Sequence, residues 1–379
     1  MPFDVHEFPA ASRLDRAATR QSRRTVAIWL FTVAAMILVM IALGGATRLS
    51  GSGLSIMEWA PLMGALPPMS DQEWQRLFAL YQQIPQYSLV NQGFGLDGFK
   101  QIFWLEWTHR LWGRLIGCAF IVPLIWFWIT ARIERSLVPR LALLFVLGGL
   151  QGAVGWFMVA SGFFPESTAV SPYRLVVHLV LALLLYSAIV WTALSLLRPV
   201  RLGPPSGVTT RMLAIACLAL VALTIVAGGF VAGTHAGLIY NTFPLMDGHV
   251  VPVTYGELHP FLRNLTENVA AVQFDHRVLA TLSLVLVSIL AGLGLRGALP
   301  APIALCLGGT VIGQYVLGVA TLLWAVPMSL GTAHQAGAVI LLTVLLVTVH
   351  QVTGRHVALG VAHSEQAAAQ RADPELSAP

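Results

Sequence analysis

Eight stretches, approximately 25–46, 106–130, 140–161, 173–197, 211–233, 273–295, 301–324 and 329–352, are each long and apolar enough to cross a bilayer. A spanning helix takes about 20 such residues. No other feature constrains the fold as much. In hydrocarbon each backbone N–H and C=O must find its partner within the protein, so runs of this length imply helices. The expectation is an all-α integral membrane protein. Composition agrees, because only 10% of the 379 residues are charged, against roughly 25% in soluble domains. Residues 1–24 are polar and Arg-rich and precede a run of full span length, so a cleavable signal is not expected. Cys118, Cys217 and Cys306 each sit inside an apolar run with no metal or redox spacing, and read as packing residues. Nucleic acid is not an expected partner, since no basic face stands outside the spans.

Orientation follows from the Arg and Lys bias. The short connections and the two tails hold, or border on, fourteen of the 22 Lys and Arg. The two long connections, 47–105 and 234–272, hold only Arg48, Arg76, Lys100 and Arg263. Both termini are therefore expected in the cytoplasm, with the long connections outside. The tail 353–379, rich in Ala, Gln, Glu and Pro, is expected to be disordered.

The chain also repeats itself. Gly44-Gly45 matches Gly228-Gly229, Pro61-Leu62-Met63 matches Pro244-Leu245-Met246, and His109-Arg110 matches His276-Arg277. Gln151 and Gly155 match Gln314 and Gly318, and His178 matches His334. Five matches in order imply duplication. With four spans per unit the halves point the same way, giving two tandem four-helix bundles related by a pseudo-two-fold along the membrane normal. The division is an N-terminal tail 1–24, a first bundle 25–200, a second bundle 201–352 and the tail 353–379. Inverted transporter repeats need an odd number of spans.

Of eleven histidines, His109, His178, His276 and His334 stand apart. All lie near the outer start of an even-numbered span, at similar depth. Ionisable groups inside a membrane mark function by default. One histidine from each of two helices per half is the pattern for bis-imidazole haem ligation in a bundle. Zinc would ask for three or four ligands around one point. A histidine proton relay would not explain the duplication. Arg110, Arg114 and Arg277 lie beside these histidines, where they suit haem propionates and equally suit snorkelling to lipid phosphate.

The halves differ at one position. Glu106 and Gln273 each lie three residues before a histidine, on its helix face. Glutamate carries charge or moves a proton, whereas glutamine only hydrogen-bonds. If one haem is changed and the other carries electrons, the first half is the reactive one. Against this stands a plain alternative, a carboxylate solvated at a helix end and favoured there by the helix dipole.

Several motifs together resemble the haem A synthase family of the bacterial and mitochondrial cytochrome-oxidase assembly type. They are G-G-A-T-R-L-S-G-S-G-L-S at 44–55, E-W-T-H-R-L-W-G-R at 106–114, R-L-V-V-H-L at 174–179, A-G-L-I-Y-N-T-F-P-L-M-D-G at 236–248, F-D-H-R at 274–277 and G-T-A-H-Q at 331–335. The resemblance spans about 25–352. It implies oxidation of the C8 methyl of haem O to a formyl group, giving haem A for cytochrome oxidase. It implies His276 and His334 as ligands of a resident haem b, His109 and His178 around the iron of the substrate haem, and Glu106 in catalysis. Arg110 and Arg114 would hold substrate propionates, and Arg277 those of the resident haem. The implied setting is the bacterial inner membrane. The implied partners are haem O, the bilayer, a haem O synthase and an electron donor or acceptor, with homo-oligomerisation left open. The cysteine pair of some bacterial members is missing from this sequence, so no thiol role carries over. A non-catalytic di-haem electron carrier of the cytochrome b kind and a haem-transfer protein are the alternatives.

Overall fold

The computed structural model describes residues 9–354, apart from 62, 166, 198–200 and 203–206, together with 356–357. Its helices are α1 (Pro9–Leu49), α2 (Asp71–Tyr81), α3 (Pro85–Leu89), α4 (Leu96–Ile129), α5 (Val138–Val159), α6 (Pro172–Leu197), α7 (Val208–Gly233), α8 (Val269–Leu293), α9 (Ala301–Leu323) and α10 (Met328–Thr353). All but α2 and α3 are long and apolar enough to cross a membrane, so the protein is a multi-pass, all-helical membrane protein. The expected tail 353–379 lies outside the described residues from 358 onward.

Two apolar cores fill the bundle. The first joins α1, α4, α5 and α6 around Leu30, Phe120, Leu141 and Ile189, and takes Val339, Leu342 and Leu346 from α10. The second joins α7, α8, α9 and α10 around Cys217, Leu290, Leu307 and Leu345. Helix α10 therefore serves both cores, and it is the most buried span; α5 is the least. Polar cross-links satisfy side chains that hydrocarbon would otherwise penalise. Trp29 and Trp112 donate their indole N–H to Ala119 O and Met36 O, each at 2.8 Å, fastening α1 to α4. Tyr186 and Thr343 pair their hydroxyls at 2.7 Å between α6 and α10.

Two boundaries differ from the sequence reading. Helix α1 starts at Pro9, so part of the N-terminal tail is helical. Helix α4 starts at Leu96, well before 106, because its first turns belong to a lid. The lid helix α2 is capped by Ser70, which accepts from Glu73 N. It buries Trp74, Leu77, Phe78 and Tyr81 against Phe99 and Phe103 of α4. Trp74 meets Phe103 edge-on with centroids 4.9 Å apart. Glu106 thus lies beneath this aromatic layer and not at a solvated helix end.

Candidate functional site: four imidazoles in two helix pairs

Each of the four histidine rings is received by a glycine on the preceding span. A Cβ on Gly44 would stand 3.2 Å from His109 Nε2; on Gly155, 3.0 Å from His178 Cε1; on Gly228, 3.0 Å from His276 Cε1; on Gly318, 2.7 Å from His334 Cε1. These separations are shorter than the roughly 3.5–4.0 Å of an optimal carbon contact. The glycines of the repeated motifs therefore act as notches for imidazoles.

What holds each ring differs. His276 Nδ1 lies 3.1 Å from Thr224 O. A carbonyl only accepts, so Nδ1 carries the proton and Nε2 keeps the lone pair that iron ligation requires. Gln314 Nε2 donates to His334 O at 2.9 Å and lies 3.1 Å from His334 Nδ1. Gln151 repeats this on His178, at 2.8 and 3.0 Å. The oxygens of both glutamines are buried and unpartnered. His109 is the exception: its Nε2, not Cε1, faces its glycine, and no carbonyl bond holds its ring among the described residues.

The residues present fit a haem. The His276 and His334 rings are perpendicular, with centroids 6.5 Å apart. A metal bound at about 2.0–2.1 Å by two imidazoles on opposite sides sets their centroids roughly 6.2–6.4 Å apart. The second pair stands close to that separation.

The arginines are anchored in the long connections. Arg110 donates to Ile56 O (2.7 Å) and Glu58 O (2.8 Å), and Arg114 to Ala60 O and Pro61 O, each 2.8 Å. Arg277 donates to Tyr240 O (2.6 Å) and Thr242 O (2.9 Å). Plain snorkelling to lipid phosphate does not describe side chains tied to loop carbonyls. Two donors are left over: Arg114 Nη1 and Arg277 Nε are buried without an acceptor. A buried orphan cationic donor is costly, and an anion beside either histidine pair would satisfy it.

Glu106 is 3% exposed and accepts four hydrogen bonds. Arg110 Nε and Nη2 reach Oε1 at 3.0 and 2.6 Å; Ser55 Oγ and Ile56 N reach Oε2 at 2.7 and 2.9 Å. Gln273 holds the equivalent place by opposite means. Its Nε2 donates to Ala236 O at 2.7 Å and to Ile239 O, while its oxygen accepts from Arg277 at 2.9 Å. One loop presents donors to a carboxylate; the other presents carbonyls to an amide.

The four histidines, Glu106, Arg110, Arg114 and Arg277 singled out in the sequence all take part in the contacts described above. Sequence reasoning missed the roles of Gln151, Gln314, Ser55 and the glycine notches. The signal for the glutamines was present in the recurring Q-x-x-x-G, which read only as evidence of duplication. His109 lies well inside α4, not in its opening turns. Outside the site, His350 is a packing residue, edge-on to Trp191 at 4.9 Å. His235 adopts a left-handed backbone (φ 57°) and lines a cavity of about 560 Å³ with Ser161, Thr168 and Thr234.

Comparison with known proteins agrees with this architecture. Residues 27–346 match the model of a family described as cytochrome oxidase assembly protein, COX15-CtaA. A "Heme A synthase" of Granulibacter bethesdensis is 64% identical over 88% of this chain and 89% of its own length. A "Heme A synthase 2" of Acidiphilium cryptum is 48% identical over 90% and 95%. A "Heme A synthase" of Parvibaculum lavamentivorans is 48% identical over 88% and 96%. With the family model matched over residues 27–346 and relatives of this identity over most of the chain, the chain belongs to the cytochrome oxidase assembly family that includes the haem A synthases.

Proposed function

We propose that this protein is a haem A synthase, oxidising the methyl group of haem O to the formyl group of haem A. The observation that carries the reading is the unequal preparation of two equivalent imidazole pairs. In the second half His276 Nδ1 donates to the Thr224 carbonyl and the rings already stand near a ligating separation. That suits a group that stays. In the first half His109 lacks the carbonyl anchor, which suits a haem that enters and leaves. His276 and His334 would hold a resident haem b, and His109 and His178 the substrate. When bound, the resident haem supplies one-electron chemistry.

The chain's own residues then have distinct tasks. Gly44, Gly155, Gly228 and Gly318 admit the rings, and Gln151 and Gln314 orient the α6 and α10 histidines. Arg114 and Arg277 offer their unpartnered N–H groups to propionates, while Arg110 holds Glu106. Turning the methyl carbon into a formyl group is overall a four-electron oxidation, CH3 + H2O → CHO + 4 H+ + 4 e−, with the electrons passing to an external acceptor. Glu106, with its donors fixed, is a preorganised negative charge where positive charge develops on that carbon. The aromatic lid of α2 and α4 keeps water off that carboxylate.

The two four-helix halves, with the pseudo-two-fold between them, divide this work as substrate half 25–200 and resident half 201–352. The Arg bias puts both termini in the cytoplasm, in the bacterial inner membrane, so that the site opens outward. A haem O synthase and an electron donor or acceptor complete the set of partners. The test is incubation of the purified protein with haem O and a reductant under oxygen, followed by pigment extraction. Hydroxylated and formylated haem are expected. Their absence, with haem O bound and unchanged, would favour the di-haem carrier or transfer protein.

A further inference from the structure

The double glycines Gly44-Gly45 and Gly228-Gly229 have two faces, and only the first glycine of each pair serves its own half. Gly44 receives His109 and Gly228 receives His276. The second glycines face the opposite half. A Cβ on Gly45 would collide with the amide of Gln335, the residue after His334 on α10. Gln335 Nε2 also donates to Ile41 O at 3.0 Å, one turn before Gly45, so α10 is fastened to α1 beside its ligand. A Cβ on Gly229 would stand 3.0 Å from Val176 Cγ2 and 3.3 Å from Leu179 Cδ2. Those two residues flank His178 on α6. The crossing is thus double: α1 of the first half carries the seat of the second half's ligand helix, and α7 of the second half carries the seat of the first half's.

Other contacts close the same seams. Gly331 of α10 abuts Leu49 of α1, Gly233 of α7 abuts Pro172 of α6, and Arg48 Nη1 donates to Ala232 O at 2.7 Å. Packed interiors pass displacements on because they hold few voids. A ligand helix seated on the other half's glycine therefore follows that half.

Building on the haem reading above, we propose that Gly45 and Gly229 are positioning residues for the haem site of the opposite half. Each sets the place of a histidine that it does not touch, through Gln335 in one case and Val176 and Leu179 in the other. The two sites are then interlocked, and a shift at one moves a ligand of the other.

The test is a crossed pattern in the full-length, purified protein. Two readouts are taken: the absorption and low-spin resonance spectrum of the resident haem, and the affinity of the first site for added haem O. Gly45→Ala is expected to shift the resident-haem spectrum and to weaken its retention about tenfold or more, although residue 45 lies in the other half. Gly229→Ala is expected to weaken haem O binding by a similar factor and to leave the resident spectrum unchanged. Because either variant can lose stability overall, two further variants decide. Gly229→Ala with Val176→Ala removes the nearer of the two atoms in conflict and is expected to restore haem O binding. Gln335→Ala alone removes the amide seated on Gly45 together with its bond to Ile41 O, and is expected to shift the resident-haem spectrum as Gly45→Ala does. An uncrossed result, with each glycine-to-alanine variant changing only the site of its own half, overturns the inference, as does failure of the rescue or an unchanged spectrum in Gln335→Ala. The haem reading itself fails separately, if the wild-type spectrum does not require His276 and His334.

Discussion

Replacing Glu106 by glutamine exchanges one buried oxygen for an NH2 group, and the surroundings allow the cost to be worked out. The amide must choose which side its remaining oxygen faces. Turned to Arg110, it keeps both guanidinium contacts and sets its NH2 against Ser55 and Ile56. The Ser55 hydroxyl can rotate and accept. The Ile56 N–H cannot, and a buried donor without an acceptor costs about 1–3 kcal/mol. The Arg110 pair also loses its charge, and charge-assisted bonds are roughly twice as strong as neutral ones. The sum is about 2–4 kcal/mol, set against about 5–15 kcal/mol of total stability. The bundle should therefore fold and keep the resident haem of the other half, while the segment around Ser55–Ile56 opens. Hydrogen exchange at residues 52–58 should accelerate by about 30- to 1,000-fold, at about 1.4 kcal/mol per tenfold. Formylated product should fall with it. Unchanged exchange and unchanged product would show that the four bonds hold neither the loop nor the chemistry. Gln273→Glu makes a sharp contrast. It sets a carboxylate oxygen against two carbonyls, and should loosen the second connection while leaving residues 52–58 protected.

Two other perturbations address the supports of the site. Gln314→Leu removes both contacts that orient His334; loss of such an outer partner typically weakens metal-site affinity about 10- to 100-fold, which titration of the haem-stripped protein would measure. Trp74→Ala empties the middle of the lid, a large-to-small change worth about 3–5 kcal/mol in a packed core. It should make α2 sensitive to limited proteolysis while the resident-haem spectrum stays as in the wild type. A protease pattern identical to the wild type would show that α2 does not depend on its aromatic contacts with α4.

The parts of this architecture that were legible beforehand are those written in periodicity and recurrence. Eight long apolar runs gave eight spans, because hydrocarbon leaves a polar backbone few alternatives. The recurring histidines marked the candidate site, because ionisable groups are rare at that depth. What escaped depended on contacts between segments distant in sequence. The lid could not be seen because Trp74 and Phe103 look like ordinary aromatics of a long loop and a helix start until they meet. The same ignorance made Glu106 look like a candidate for a solvated helix end. Its burial comes from Ser55 and Ile56, some fifty residues earlier in the chain. The glutamines were noticed as repeated letters. Only the geometry shows each one gripping the residue that bears the imidazole.

The difference between the halves is then larger than one substitution. Glutamate and glutamine are close in shape, and exchanging one for the other at a single position would by itself leave an unsatisfied loop. Here the loops differ to match: Ser55 and Ile56 aim donors inward, whereas Ala236 and Ile239 aim carbonyls. Arg110 and Arg277 tie both loops in the same way, so the arginine is the common frame and the residue four positions before it carries the specialisation. The carboxylate stands above the imidazole that lacks a carbonyl anchor, and the amide above the one that has it. Charge and an imidazole without a carbonyl anchor therefore occur together, as do neutrality and an anchored imidazole. A non-catalytic electron carrier has no need of such a pairing, whereas the proposed division between a haem that is changed and a haem that stays asks for it.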